Sequence, residues 1–277
     1  MKRLLVVGFG DIARRAAPLL ASCFELIRAA RSDGFDLDRP QTLVLGRVDA
    51  LLHLAPPPGE GDQDTRTANL LAALEKGRIL PRRLVYVSTS GVYGDCGGAR
   101  VDEARPIAPQ TARARRRADA ERRLALWCSS RTVSLVVLRV PGIYAADRLP
   151  LARLRATTPV LRAEDDVYTN HIHADDLAAI AARALEDDAP EGIYNAADDS
   201  EIRMGDWLDL VAERSGLPRP PRLPRAQLET FVSPEIYSFM SESRRLDNRR
   251  LKRELGVRLR YPTVYEGLKH EHALGVD

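Results

Sequence analysis

The 277-residue sequence predicts an α/β protein built on a doubly wound parallel sheet, followed by a small C-terminal α+β lobe. Three observations predict it. The chain opens on an apolar, β-branched run, LLVV at 4–7, which breaks into a glycine turn and then a helical pattern reaching about residue 23. Similar runs return at 25–30, 49–54, 83–87, 134–140 and 193–196, with helical segments between several of them. Two of the runs stop abruptly, at PPPG (56–59) and PG (141–142), in the positions where open α/β sheets receive ligands.

The opening turn reads Gly8, Phe9, Gly10, Asp11, Ile12, Ala13, a GxGxxA spacing between a strand and a helix. That is the dinucleotide fingerprint of a Rossmann-type sheet. Gly8 allows the turn, Gly10 lets the backbone approach a pyrophosphate, and Ala13 permits close helix packing. Main-chain N–H groups at the helix start then face the phosphates, where the helix dipole favours negative charge. Phe9, Asp11 and Ile12 complete the expected cofactor-contacting turn. The second strand ends at Arg31, where NAD-selective folds place an acid; an arginine there suits the 2′-phosphate of NADP, so NADP is favoured over NAD. An exposed strand-end arginine is the alternative, because Asp33, Asp36 and Asp38 lie just beyond.

The stretch after Arg31 is too short for a helix, a third strand and another helix, so residues 35–38 are expected to make at most a stub. Leu54 and Ala55, at the end of the strand 49–54, are expected cofactor contacts. A helix over 64–75 carries Leu70, Leu71 and Leu74 at core spacing, with Gly77 beyond. Composition agrees with a globular chain, at 44% hydrophobic and 29% charged residues, and the net charge of +3 implies no general affinity for nucleic acid or membrane. Cys23, Cys96 and Cys128 lack metal-ligand spacing and are odd in number; with no signal-like or long apolar segment, they imply a cytoplasmic protein with three free thiols and no metal.

The strand 83–87 leads into LVYVSTSGVYGD (84–95), and here the chain resembles the extended short-chain dehydrogenase/reductases, the NAD(P)-dependent epimerase/dehydratase group. Further matching motifs follow in order: LRVPGIY (138–144), NHIHADDLA (170–178), GIYNAAD (192–198) and RRLDNRRLKRELG (244–256). The resemblance implies that Thr89, three residues before the Val of VYG, is the hydroxyl that assists catalysis. It also implies a Tyr and, four residues later, a Lys on the next helix. In PQTARARRRADAE those positions hold Arg113 and Arg117, counted back from Glu121. A guanidinium stays protonated and cannot replace the phenol as acid or base. The chain is therefore similar to the atypical branch that keeps the cofactor fold without the Tyr/Lys pair. The one literal YxxxK, Tyr265 to Lys269, falls in the C-terminal segment and is read as coincidence.

Two readings of Arg113 and Arg117 stand. Four residues apart on a helix, both can face the nicotinamide side and clamp an anion. Alternatively they belong to a solvated basic face, since Arg115, Arg116, Arg122 and Arg123 are interleaved with Asp119 and Glu121. The resemblance places Pro141 beside the nicotinamide, although a Pro-Gly turn accounts for it equally. Tyr144 and Arg245 are expected on the substrate side, Arg245 and Asn248 standing where relatives contact an anionic group. Tyr93, Tyr144 and His173 are the remaining proton donors, each with a structural alternative; His173 precedes Asp175 and Asp176, expected to cap a helix running to about Glu186.

The expected division is 1–199 for the NAD(P)-binding domain, with 141–168 partly substrate-side and 149–158 mobile or substrate-side, and 200–277 for the substrate lobe. That lobe is expected to hold a helix over 206–215, a proline-rich connection and a last pair of helices. The function expected is an NAD(P)-dependent oxidoreductase or epimerase-like enzyme on a small polar, anionic or sugar-nucleotide-like substrate, working as a monomer or homodimer. The alternative is a non-catalytic NAD(P)-binding sensor or interaction protein.

Overall fold

The computed structural model describes residues 1–271. Six strands form one sheet: β1 (Lys2–Val7), β2 (Phe24–Ala29), β3 (Ala50–His53), β4 (Arg83–Thr89), β5 (Ser134–Val140) and β6 (Gly192–Asn195). Their order is β6-β5-β4-β3-β1-β2 and every pairing is parallel, as a doubly wound sheet requires. The helices in chain order are α1 (Asp11–Leu20), α2 (Thr65–Lys76), α3 (Ala112–Ser129), α4 (Leu151–Arg155), α5 (Ala174–Ala184), α6 (Met204–Arg214), α7 (Arg225–Phe231), α8 (Pro234–Ser241), α9 (Arg249–Glu254) and α10 (Val264–Glu271).

Strand alternation explains why the opening run is apolar at every position. Leu4 and Val6 pack on one face with Ala13, Ala16, Leu177 and Ala181 of α1 and α5, whereas Leu5 and Val7 pack on the other with Leu70, Leu74 and Leu124 of α2 and α3. Each such side chain contributes about 1.5–3 kcal/mol when fully removed from water. Between β2 and β3 the chain makes two short 3₁₀ turns, Arg31–Asp33 and Pro40–Thr42, and no strand. Phe35 and Leu37 are buried against the α2 side, so the expected stub serves as a plug over the sheet edge.

Local chemistry sets the helix ends, in two places otherwise than expected. α2 is capped by Asp64, whose Oδ1 accepts from the Thr67 N–H at 3.0 Å. α5 is capped by His173, not by Asp175 or Asp176: the His173 Nδ1 accepts from the Asp175 N–H at 3.1 Å. Asp176 is freed to accept from the Arg260 and Tyr261 N–H groups at 2.8 and 2.9 Å, tying the C-terminal segment to α5. The last pair of helices is instead four among the described residues, α7 to α10, because Ser233 and Pro234 supply a second start after α7. Segment 149–158 holds α4, with Leu154 buried in an apolar cluster that includes Tyr144, Leu161, Trp207, Leu208, Leu228 and Met240.

A buried polar chain locks three strands to α3. Arg139 of β5 donates from Nη2 to Glu121 Oε2 at 2.8 Å, and the Ser88 hydroxyl of β4 donates to Glu121 Oε1 at 2.5 Å. The Arg139 guanidinium lies 4.7 Å from the Tyr93 ring centre, and the Tyr93 hydroxyl donates to Asn195 Oδ1 of β6 at 2.8 Å. Glu121→Ala leaves Arg139 buried without a counter-charge; we expect a loss of about 3–5 kcal/mol in urea unfolding, with no change in the order of strands.

Other buried groups make stability depend on pH in opposite senses. Burial pushes His53 and His171 down from 6.5 to about 3, so both are neutral in the fold, and pushes Asp198 up from 3.8 to about 8. The histidine contribution is present above pH 6.5 and is lost as pH falls toward 3, when the unfolded chain takes up protons first. The Asp198 contribution is present below pH 3.8 and is lost as pH rises toward 8. Asp198→Asn is therefore expected to flatten the decline in unfolding free energy on the alkaline side while leaving the acid limb in place, measured by urea titration from pH 4 to 8.

Candidate nucleotide-binding site

The site forms where β1 hands the chain to α1. Val7 O accepts from both the Leu54 and Ala55 N–H groups, at 2.8 and 2.9 Å, which brings the end of β3 hard against the turn. Gly8 sits at φ +88°, and a Cβ there would stand 2.6 Å from Ala55 N. No side chain fits. Gly10 is the N-cap of α1, and a Cβ on it would meet nothing within 4 Å. Gly8 thus serves backbone packing, while Gly10 leaves the main chain open beside the first turn of α1. That cradle suits a diphosphate.

Around it lies a cleft of about 370 Å³, lined among others by Gly8, Phe9, Gly10, Asp11, Ile12, Arg31, Leu54, Ala55 and Arg117. The structure thereby gathers nine of the candidate site residues, together with Ala13 of the glycine turn and Asp36, one of the acids beyond Arg31. Val87, Ile143, Arg66 and Arg148 also line it. Only Val87 and Ile143 lay within sequence motifs; no local signal marked Arg66 or Arg148.

Charge in the cleft is already organised. Asp11, the first residue of α1, is held below the usual carboxylate range: burial acts upward, but Arg15 and Arg148, each at 3.0 Å, outweigh it. Arg15 also meets Asp147 at 3.0 Å and Asp175 at 2.6 Å. Arg28 caps the Phe9 ring, its guanidinium carbon 4.5 Å from the ring centre. At the end of β2, Arg31 is exposed and has no ion pair among the described residues. The neighbouring acids are taken by other arginines: Asp33 by Arg28 (3.5 Å), Asp36 by Arg39 (3.7 Å) and Asp38 by Arg66 (2.6 Å).

Further along the sheet, Thr89 accepts the Gly91 N–H at 3.2 Å and caps the 3₁₀ turn Ser90–Tyr93. Arg117 donates from Nη1 to Val87 O at 2.9 Å and to the Tyr86 hydroxyl at 3.1 Å, with Tyr86 pushed up to about 12 by burial. Arg113, one turn earlier, lies over the Phe239 ring at 4.0 Å. On the rest of the basic helix, Arg122 and Arg123 both pair with Asp119 at 2.6 Å, while Arg115 pairs with Asp62 at 2.9 Å and Arg116 donates to Gly61 O at 2.5 Å.

The cleft lining does not include Thr89, Arg113, Pro141, Tyr144 or Arg245. Pro141 is partly buried between β5 and the short strand Gly142–Tyr144. Tyr144 is only 1% exposed, packed edge-on against His173 and Trp207, with its hydroxyl donating to Thr263 O at 3.3 Å. Arg245 donates to Gly98 O at 2.8 Å and covers the Tyr168 ring, while the Asn248 amide donates to Ala197 O and Asp199 Oδ1, both at 2.9 Å. Tyr265 and Lys269 lie on α10, away from the cleft lining. Among the described residues no cluster of three His, Cys, Asp or Glu side chains could hold a metal, and no helix is long and apolar enough to cross a membrane.

Comparison with known proteins agrees with this geometry. A 3-diazoavenalumate denitrifying reductase from Streptomyces sp. is 29% identical over 248 residues, covering 84% of this chain and 80% of the relative. A functionally unknown conserved protein from Silicibacter pomeroyi superposes with a TM-score of 0.79 at 30% identity, covering 99% of both chains. A human epimerase family protein solved with NADPH shares the fold, with a TM-score of 0.76 at 20% identity over 98% of this chain and 99% of that one. The model of the NAD dependent epimerase/dehydratase family matches residues 48–197. With that match over more than half of its length, the chain belongs to the NAD dependent epimerase/dehydratase family, an NAD(P)-dependent oxidoreductase family.

Proposed function

We propose that this chain is an NADP(H)-dependent reductase of a small polar, anionic substrate, working without a Tyr/Lys acid-base pair. The observation that carries the reading is the open main chain at Gly10 beside the exposed, ion-pair-free Arg31, both on one cleft. Gly8, Gly10 and the first turn of α1 hold the diphosphate; Leu54, Ala55 and Pro141 flank the rest of the nucleotide. Arg31 takes the 2′-phosphate, because the acids beside it are engaged by Arg28, Arg39 and Arg66. The bound nucleotide supplies the hydride. The name of the Streptomyces relative, a reductase, supports that direction of transfer.

The chain's own groups then orient and hold charge. The Thr89 oxygen spends one lone pair on the Gly91 N–H, which leaves its O–H to donate to a substrate oxygen. Arg117 fixes positive charge on the cleft wall through Val87 O, where it favours negative charge developing on the substrate. Arg113, Tyr144 and Arg245 shape the substrate side from behind. A non-catalytic nucleotide-binding role is the second reading, favoured by the structural engagement of Tyr93 and Tyr144. Oxidation of NADPH by a panel of small carbonyl and unsaturated acids separates the two: binding without any turnover supports the second.

Arg31→Asp is expected to weaken NADPH binding about 10- to 100-fold, in line with the loss of a charge-assisted phosphate contact, and to change NADH binding far less. Equal losses, read by nucleotide fluorescence titration, would remove the NADP preference. Thr89→Val should lower kcat about 100-fold with nucleotide affinity kept, and Thr89→Ser should restore most of it.

A further inference from the structure

Arg153 on α4 departs from the way this chain treats its other sunken arginines. Arg139 meets the Glu121 carboxylate, Arg244 the Gly94 carbonyl and Arg116 the Gly61 carbonyl. Arg153 Nε is shut off from solvent with no hydrogen-bond partner, and its Nη2 reaches only the Met240 thioether, at 3.6 Å. No ion pair forms with it among the described residues, and burial alone brings it down to about 10, so it carries full charge at neutral pH. A partly buried cation whose Nε has neither water nor a protein acceptor is an unfavourable arrangement in the free protein.

Its position ties it to the cofactor cleft by two routes. Arg153 follows Arg148, a cleft-lining residue clamped to Asp11, by five positions. From the other side, Arg117 lines the cleft, and Arg113 stands one turn along the same helix, about 6 Å of axial rise. Arg113 covers Phe239, and the next residue, Met240, holds Arg153. The Phe239–Met240 tip of α8 therefore bridges Arg113, one turn from the cleft-lining Arg117, and the Arg153 guanidinium.

We propose that Arg153 is the specificity residue that receives a carboxylate of the substrate, a claim that rests on the reductase reading above. A carboxylate fits better than a phosphate. One planar guanidinium offers two parallel donors and a single charge, and with the Met240 thioether as its neighbour that single charge would leave a dianion half compensated.

The test uses the full chain loaded with NADPH, with sodium benzoate as anionic probe and benzamide as its neutral counterpart. Benzoate is expected to shift the Arg153 Nε–H resonance saturably, and benzamide to leave it in place. Arg153→Met is expected to weaken benzoate binding about 10- to 100-fold while raising the urea midpoint, since it removes an unpaired, partly buried charge. Arg153→Lys should retain part of the affinity. The proposal is overturned if benzoate leaves that resonance unmoved, if benzamide moves it equally, or if Arg153→Met binds benzoate as well as the parent. A lowered urea midpoint in Arg153→Met would make the residue structural and would also overturn it. Nucleotide binding and turnover are measured on the same samples, so a protein that takes up benzoate but never oxidises NADPH defeats the reductase reading alone.

Discussion

The close approach of the β3 end to the first turn is the constraint on which the rest of the structure depends. Two N–H groups, of Leu54 and Ala55, converge on the single carbonyl of Val7, and only a residue without a Cβ can follow it. That contact sets the floor of the cleft. It fixes where α1 begins, and with α1 it fixes the open face at Gly10. It also places Leu54, Ala55 and the PPPG break at the mouth, a region that Arg66 secures by donating to Pro56 O and Pro57 O at 3.0 Å. A side chain at Gly8 would not merely strain one residue. It would push β3 from β1 and misalign every group that follows along the strand ends.

Arginine distribution carries the second layer of organisation. The sequence holds 42 lysines and arginines against 39 acids, a near balance that hides how unevenly the charges are matched. Along α3 and the loops, pairs such as Arg115 with Asp62 are exposed and contribute little to stability. Arg139 with Glu121 is buried and costs much to break. Arg31, at the nucleotide end, stands apart from both classes. Its neighbouring acids pair with other arginines, which leaves Arg31 without an ion pair of its own among the described residues.

Much of the sheet was legible in the sequence because its signals are local. The LLVV run with its GxGxxA turn and the strand ending at the PPPG break predicted seven of the candidate residues that line the cleft, Gly8, Phe9, Gly10, Asp11, Ile12, Leu54 and Ala55. The shortened crossover after β2 was legible from chain length alone. The helix cap at His173 was missed because Asp175 and Asp176 are the better cap formers by type; the tertiary demand of the Arg260 and Tyr261 N–H groups redirected Asp176. Arg148 and Arg66 were missed for a different reason. Their partners, Asp11 and Asp38, are remote in sequence, and a long flexible cation shows no periodicity that betrays where its head will lie.

On the proposed reading, in which two arginines stand where the resemblance implies a Tyr/Lys pair, the chemistry is limited more than the binding. A guanidinium can steady a growing negative charge but holds its protons far too tightly to neutralise that charge by transfer. Arg117, bonded to the Val87 carbonyl and facing the cleft, has that character. The nearby phenols do not make up the difference: Tyr86 is pushed up to about 12 by burial, and the Tyr93 hydroxyl is committed to Asn195. Hydride delivery to a substrate whose product anion is stabilised by fixed charge, with its proton taken from solvent, asks least of such a wall. Reactions that need a protein base poised near neutrality, such as the oxidation of a sugar hydroxyl, ask most. On the proposed reading, the residues at the cleft are better matched to reduction than to epimerisation.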